Sequence, residues 1–144
     1  MLRKANITII CLGIAITIGL LYPTSTPHKE TKVKIKHKHK TYTVLELKTY
    51  AQKLYARSDI QFECLDLLWT MESDWNYKSQ GYLTYSGRAL GIAQALPAEK
   101  MKSISNNYKT NPLTQIKWGL SYIKSRYNND ACSALRHEFN EGWY

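Results

Sequence analysis

Glu72 stands where an ionised group is costly. In the stretch CLDLLWTMESDW, residues 64–75, Leu65, Leu68 and Trp69 precede it by seven, four and three positions. That is the spacing of one helical face, while Glu63, Asp66, Thr70 and Ser73 fall on the opposite, polar stripe. Three readings of a carboxyl on an apolar face are open. The helix can end there and let the group reach water. The carboxyl can pair with a buried cation, Arg88 or Arg126 being the candidates. Or it can be a general acid that keeps its proton because burial disfavours the charge. Partner carboxylates are hard to find: Asp74 points elsewhere on the helix, Asp66 lies on the polar stripe, and Asp130 and Glu141 read as surface or capping residues. The chain lacks CxxC and metal-ligand clusters, and lysines flank His28, His37 and His39, so neither a metal nor any other cofactor is expected.

The elements that must position Glu72 read as helices. VLELKTYAQKLYA repeats Leu47, Tyr50/Ala51 and Leu54 at helical spacing, and Ser58 or Asp59 can cap the next helix, which runs to about Ser73. Residues 74–101 hold Gly81, Gly87, Gly91 and Pro97 without a long helical period. They predict a long functional loop, with room for a short hairpin around Tyr82 and Tyr85. Asn111 and Pro112 open the clearest helix, whose stripe is Leu113, Ile116, Leu120, Ile123 and Tyr127. A short last helix, ACSALRHEF, ends near Gly142. The expected fold is a small all-α domain with one Gly-rich substrate loop. Trp69 and Trp118 are assigned to its core, with Trp69 also able to wall Glu72; Trp75, Tyr82 and Tyr85 could stack on the ring faces of a ligand.

That domain spans residues 43–144. Residues 1–22 carry Arg3 and Lys4 before an uncharged apolar run from Ile7 to Tyr22, the layout of a signal peptide or membrane anchor. An uncleaved anchor is favoured, because Pro27 follows the nearest cleavage candidate, Thr24-Ser25-Thr26. Cys11 is an apolar filler within the run. Residues 23–42 form a basic flexible linker whose like charges extend it. Of the formal charge of +9, residues 1–42 hold +7 and residues 43–144 only +2. The folded part is thus a poor nucleic-acid binder, whereas the linker suits anionic wall polymers or a membrane surface. The chain is expected to be exported and monomeric. In that setting Cys64 and Cys132 suggest a disulfide.

From about Asp59 to Tyr144 the chain resembles the soluble lytic transglycosylases, which share the lysozyme-like fold. It is most similar to the small transglycosylase-like domains of exported Gram-positive surface proteins, including aggregation-promoting-factor-like proteins. MESDWN resembles the family's Glu-Ser motif, and ALGIAQALP its Gly-Leu-Met-Gln motif. NPLTQIKWGLSYIKSRY resembles the Asn/Asp-Pro segment that ends Gly-x-x-Tyr-Leu, with Gly119 and Tyr122 on it. The ending GWY and the two cysteine positions fit the surface-protein branch. Ile92 and Ala93 replace the usual Leu and Met, and FNEG, residues 139–142, has Phe139 where the family's Tyr-Asn-Ala-Gly has a hydroxyl.

The resemblance implies an enzyme that cuts the β-1,4 bond between N-acetylmuramic acid and N-acetylglucosamine in peptidoglycan glycan strands, with Glu72 as the single catalytic acid. It further implies substrate-binding roles for Gly91, Gln94, Tyr122, Ser73 and Asn140, although Ser73 also suits closing the helix. The product would carry 1,6-anhydromuramic ends, the substrate's own acetamido and C6 hydroxyl groups replacing a second carboxylate. The rival expectations are an inactive wall-binding or adhesion module and a hydrolytic lysozyme.

Overall fold

The computed structural model describes residues 40–144. The expected anchor, most of the basic linker, Cys11 and the three linker histidines lie outside the described residues.

Helix α1, Val44–Tyr55, opens with a capping box: Thr43 Oγ1 accepts from the Glu46 N–H at 3.2 Å and the Glu46 carboxylate accepts from the Thr43 N–H at 2.8 Å. It buries Leu47, Ala51 and Tyr55, while Leu54 faces solvent. Tyr55 displaces Leu54 from the expected stripe because its hydroxyl has inward partners, donating to the Asn129 carbonyl and accepting from the Ala131 N–H, each at 3.0 Å.

Helix α2, Asp59–Ser73, buries Leu65, Leu68 and Trp69 as its spacing predicts. Asp74 and Trp75 then adopt left-handed φ of 53° and 57°. This sharp exit turns Trp75 into the core, where it is 1% exposed and packs edge-on against Trp69. Its indole N–H donates to Asp66 at 2.7 Å, and Lys48 of α1 pairs with the same carboxylate at 2.7 Å. The polar stripe expected on α2 is therefore not uniformly solvated: Asp66 and Ser73 are half-buried and hydrogen-bonded. Trp75 is unavailable for stacking on sugars.

Strands β1, Gln80–Thr84, and β2, Gly87–Leu90, pair antiparallel, with Leu83 opposite Arg88 and Thr84 opposite Gly87. The all-α expectation is corrected here: the domain is predominantly helical with one two-stranded sheet. Gly87, at φ 102°, closes the tight turn. Tyr82, Leu83 and Tyr85 are exposed on the hairpin.

A 3-10 helix, Ala98–Ser103, leads to helix α3, Pro112–Arg126. Asn111 caps α3, accepting from the Leu113 N–H at 3.0 Å, and the expected stripe packs inward. At Gly119 an added Cβ would sit 2.6 Å from Trp69 Cζ2 and 2.8 Å from Ala93 Cβ, so glycine lets α3 close on α2 and the loop. Helix α4, Ala131–Glu141, is capped by Asp130 and stops at Gly142, φ 72°. Hydrogen bonds from Gln61 and Ser133 lower the Asp130 carboxyl to about 2. The Cys64–Cys132 disulfide joins α2 to α4. Among the described residues no helix is long and apolar enough to cross a membrane, and no group of three His, Cys, Asp or Glu is placed to hold a metal.

Candidate active site

The last turn of α2 delivers Glu72 to a groove of about 510 Å³. Gln94 from the loop and Tyr122 from α3 line the same groove, with Lys100, Arg126 and Tyr144. Burial, followed by the negative charge of Glu138 and a hydrogen bond with it, pushes the Glu72 carboxyl up to about 7. The group is thus half-protonated near neutral pH, the condition that general acid–base work requires.

Neither expected cation neutralises Glu72. Arg88 donates to the Gly81 carbonyl within the hairpin, and the Arg126 guanidinium lies 4.6 Å from the Trp143 ring centre. The ion pairs among the described residues are Lys40–Glu46 and Lys48–Asp66. Nor does the helix end simply release the carboxyl to water, since Glu72 is half-buried.

Tyr144 closes the groove from behind. Its hydroxyl donates to the Ala93 carbonyl at 3.1 Å and accepts from the Trp69 indole N–H at 3.0 Å. Its backbone carbonyl accepts from the Tyr122 hydroxyl at 3.0 Å. Burial and the nearby Glu72 charge push the Tyr144 phenol well above its usual range, so it stays a neutral donor. Tyr122 spends its proton on Tyr144 and offers the groove an acceptor oxygen.

Gly91 and Ser73, expected at the site, stand one remove from the groove, and Gln94 lines it. Gly91, φ +80°, is buried outside the groove; an added Cβ would overlap the Gln115 amide. That fully buried amide binds the loop from beneath, accepting from the Ile92 N–H at 3.0 Å and donating to the Tyr77 and Tyr108 carbonyls at 3.0 and 2.9 Å. Ser73 Oγ donates to the Ile92 carbonyl at 2.9 Å and so ties the end of α2 to the same loop. Gln94, at φ 41°, donates to the Gly91 carbonyl at 2.8 Å, which fixes its amide at the groove. Asn140 is exposed on α4 and is not among the residues that line the groove. Tyr82 and Tyr85 also lie off the groove, while Trp118 is buried in the core as expected and also contributes to the groove wall.

The residue that sequence reasoning missed is Glu138. One of its carboxyl oxygens is buried with no hydrogen-bonding N–H or O–H partner, and the carboxyl lies within hydrogen-bond reach of Glu72. The signal was present. Ala131, Ala134, Leu135 and Glu138 repeat on α4 the spacing of Leu65, Leu68, Trp69 and Glu72 on α2. Set against protein-family models, curated proteins and solved structures, the chain matches none.

Proposed function

We propose that the protein is a peptidoglycan lytic transglycosylase with a lysozyme-like domain, exported and acting on glycan strands. The observation that carries this reading is a half-buried carboxyl, Glu72, poised near pH 7 in a groove that also presents Gln94 and Tyr122. The motif resemblance around those three residues supports the substrate.

The chemistry needs one acid used twice. Glu72 gives its proton to the glycosidic oxygen as the C1–O4 bond breaks, and the departing N-acetylglucosamine leaves with a free C4 hydroxyl. The muramic acetamido oxygen holds C1 while charge develops there. The C6 hydroxyl then attacks C1, and the Glu72 carboxylate takes its proton, so a 1,6-anhydro ring closes without consuming water. Gln94 and the Tyr122 oxygen orient the sugars through hydrogen bonds.

Hydrolysis by flanking carboxylates is less well supported. Retaining enzymes hold their two carboxyls roughly 5–5.5 Å apart across the scissile bond. Glu138 instead touches Glu72 and does not line the groove. The test is mass spectrometry of fragments released from purified peptidoglycan by the full-length protein and by Glu72→Gln. Fragments ending in 1,6-anhydromuramic acid, lost in the variant, are expected. Reducing ends would replace this reading with a lysozyme, and no release from walls of several sources would leave a binding module.

A further inference from the structure

We propose that Glu138 is a positioning residue for the proton chemistry of Glu72, the two carboxyls sharing one proton behind the groove. The inference deepens the function proposed above and rests on it for the substrate. Three observations meet here. Glu138 occupies the core-facing position of α4, one turn beyond Ala134 and Leu135, where an apolar side chain would pack at no electrostatic cost. Its buried oxygen lacks a hydrogen-bonding N–H or O–H partner, and the neighbouring group that can supply a proton is the Glu72 carboxyl. The helices that carry the two acids are tied by Cys64–Cys132, eight residues before Glu72 and six before Glu138, so α2 and α4 cannot part on this side of the pair.

The other titratable groups around the pair leave this arrangement intact. Tyr144, from the C-terminal segment, is spent on Ala93 and Trp69, and Tyr122 of α3 on the Tyr144 carbonyl. Arg126 lies over Trp143, Lys100 lines the groove from the 3-10 helix, and His137 bonds the Trp143 carbonyl through Nδ1 at 2.7 Å. The influences that act on Glu72 all favour its protonated form.

The consequence is a pair that works in both halves of the reaction. Before bond cleavage the Glu138 charge holds the proton on Glu72. Once that proton has passed to the leaving oxygen, two negative charges face each other in a partly dry site. Taking the C6 hydroxyl proton relieves them, which strengthens Glu72 as a base. Glu138 touches no substrate and gives up no proton to it.

The experiment is a carboxyl-carbon NMR titration of Glu-labelled full-length protein, wild type and Glu138→Gln, with Glu72→Gln to assign the signal. It is read beside the pH profile of anhydro-product release. In the wild type the Glu72 signal should titrate with a midpoint near 7. In Glu138→Gln the Glu72 midpoint should fall by about one pH unit or more, and the alkaline limb of kcat/KM by the same amount. Turnover at pH 8 would then drop about tenfold, with acid-side activity and KM kept. An unmoved Glu72 midpoint, with activity lowered equally at every pH, overturns the proposal and leaves Glu138 a packing residue. If Glu138→Gln does not fold, Glu138→Asp, which keeps the charge but draws the carboxyl back from Glu72, is titrated in its place, and an unmoved Glu72 midpoint overturns the proposal. If the wild type releases no product, the function fails while the NMR result still decides the pair.

Discussion

Glu72→Gln should make the protein more stable, and the gain should grow with pH. A carboxyl whose midpoint rises from 4.5 unfolded to about 7 folded binds more protons in the folded state between those values. Stability is therefore lost as pH climbs through that window and levels off above pH 7. At about 1.36 kcal/mol per pH unit the full cost would be roughly 3.4 kcal/mol. Glu72 is partly open to the groove, and screening by water reduces this to about 2 kcal/mol. Glutamine has the shape of the protonated acid and carries no charge to desolvate. The assay is thermal unfolding of both proteins from pH 4.5 to 8.5. The curves should nearly coincide at the acid end and separate by roughly 10 °C at the alkaline end, for a folded part of this size. A constant offset across the range would refute the reasoning, because it would mean that Glu72 titrates alike folded and unfolded.

Two further perturbations probe the frame around the site. Reducing Cys64–Cys132, or replacing both cysteines by serine, should cost about 4 kcal/mol for a 68-residue separation, read by urea denaturation. Gln115→Leu leaves the Ile92 N–H and the Tyr77 and Tyr108 carbonyls without their shared partner, and should cost about 3 kcal/mol or more. Hydrogen exchange should then show protection lost first in residues 91–94.

Much of this was legible in the residues. The helix carrying Glu72 and the stripe of α3 follow from 3.6-residue spacing, because each helix packs one face into a shared core. The groove residues Glu72, Gln94 and Tyr122 were readable from motif resemblance. What escaped depends on contacts between distant segments. Trp75 follows a helix end, where periodicity says nothing; two consecutive left-handed residues send it inward to Asp66. Gln115 reads as an ordinary polar position on α3, and its burial follows from a loop whose backbone needs donors and an acceptor from beneath. Glu138 was within reach of the test applied to Glu72. Its helix is only eleven residues long and shows barely one repeat of that face, so the pattern stands out less than on α2.

The Cys64–Cys132 bond also decides how the molecule carries mechanical load. Tension between α1 and the C-terminal end of the chain enters at Cys64 and leaves at Cys132, passing through one S–S bond. Residues 65–131, with Glu72, Gln94 and Tyr122 among them, form a closed covalent ring through which that tension need not run. Pulling the folded part by its two ends therefore loads the disulfide and spares the backbone that shapes the groove.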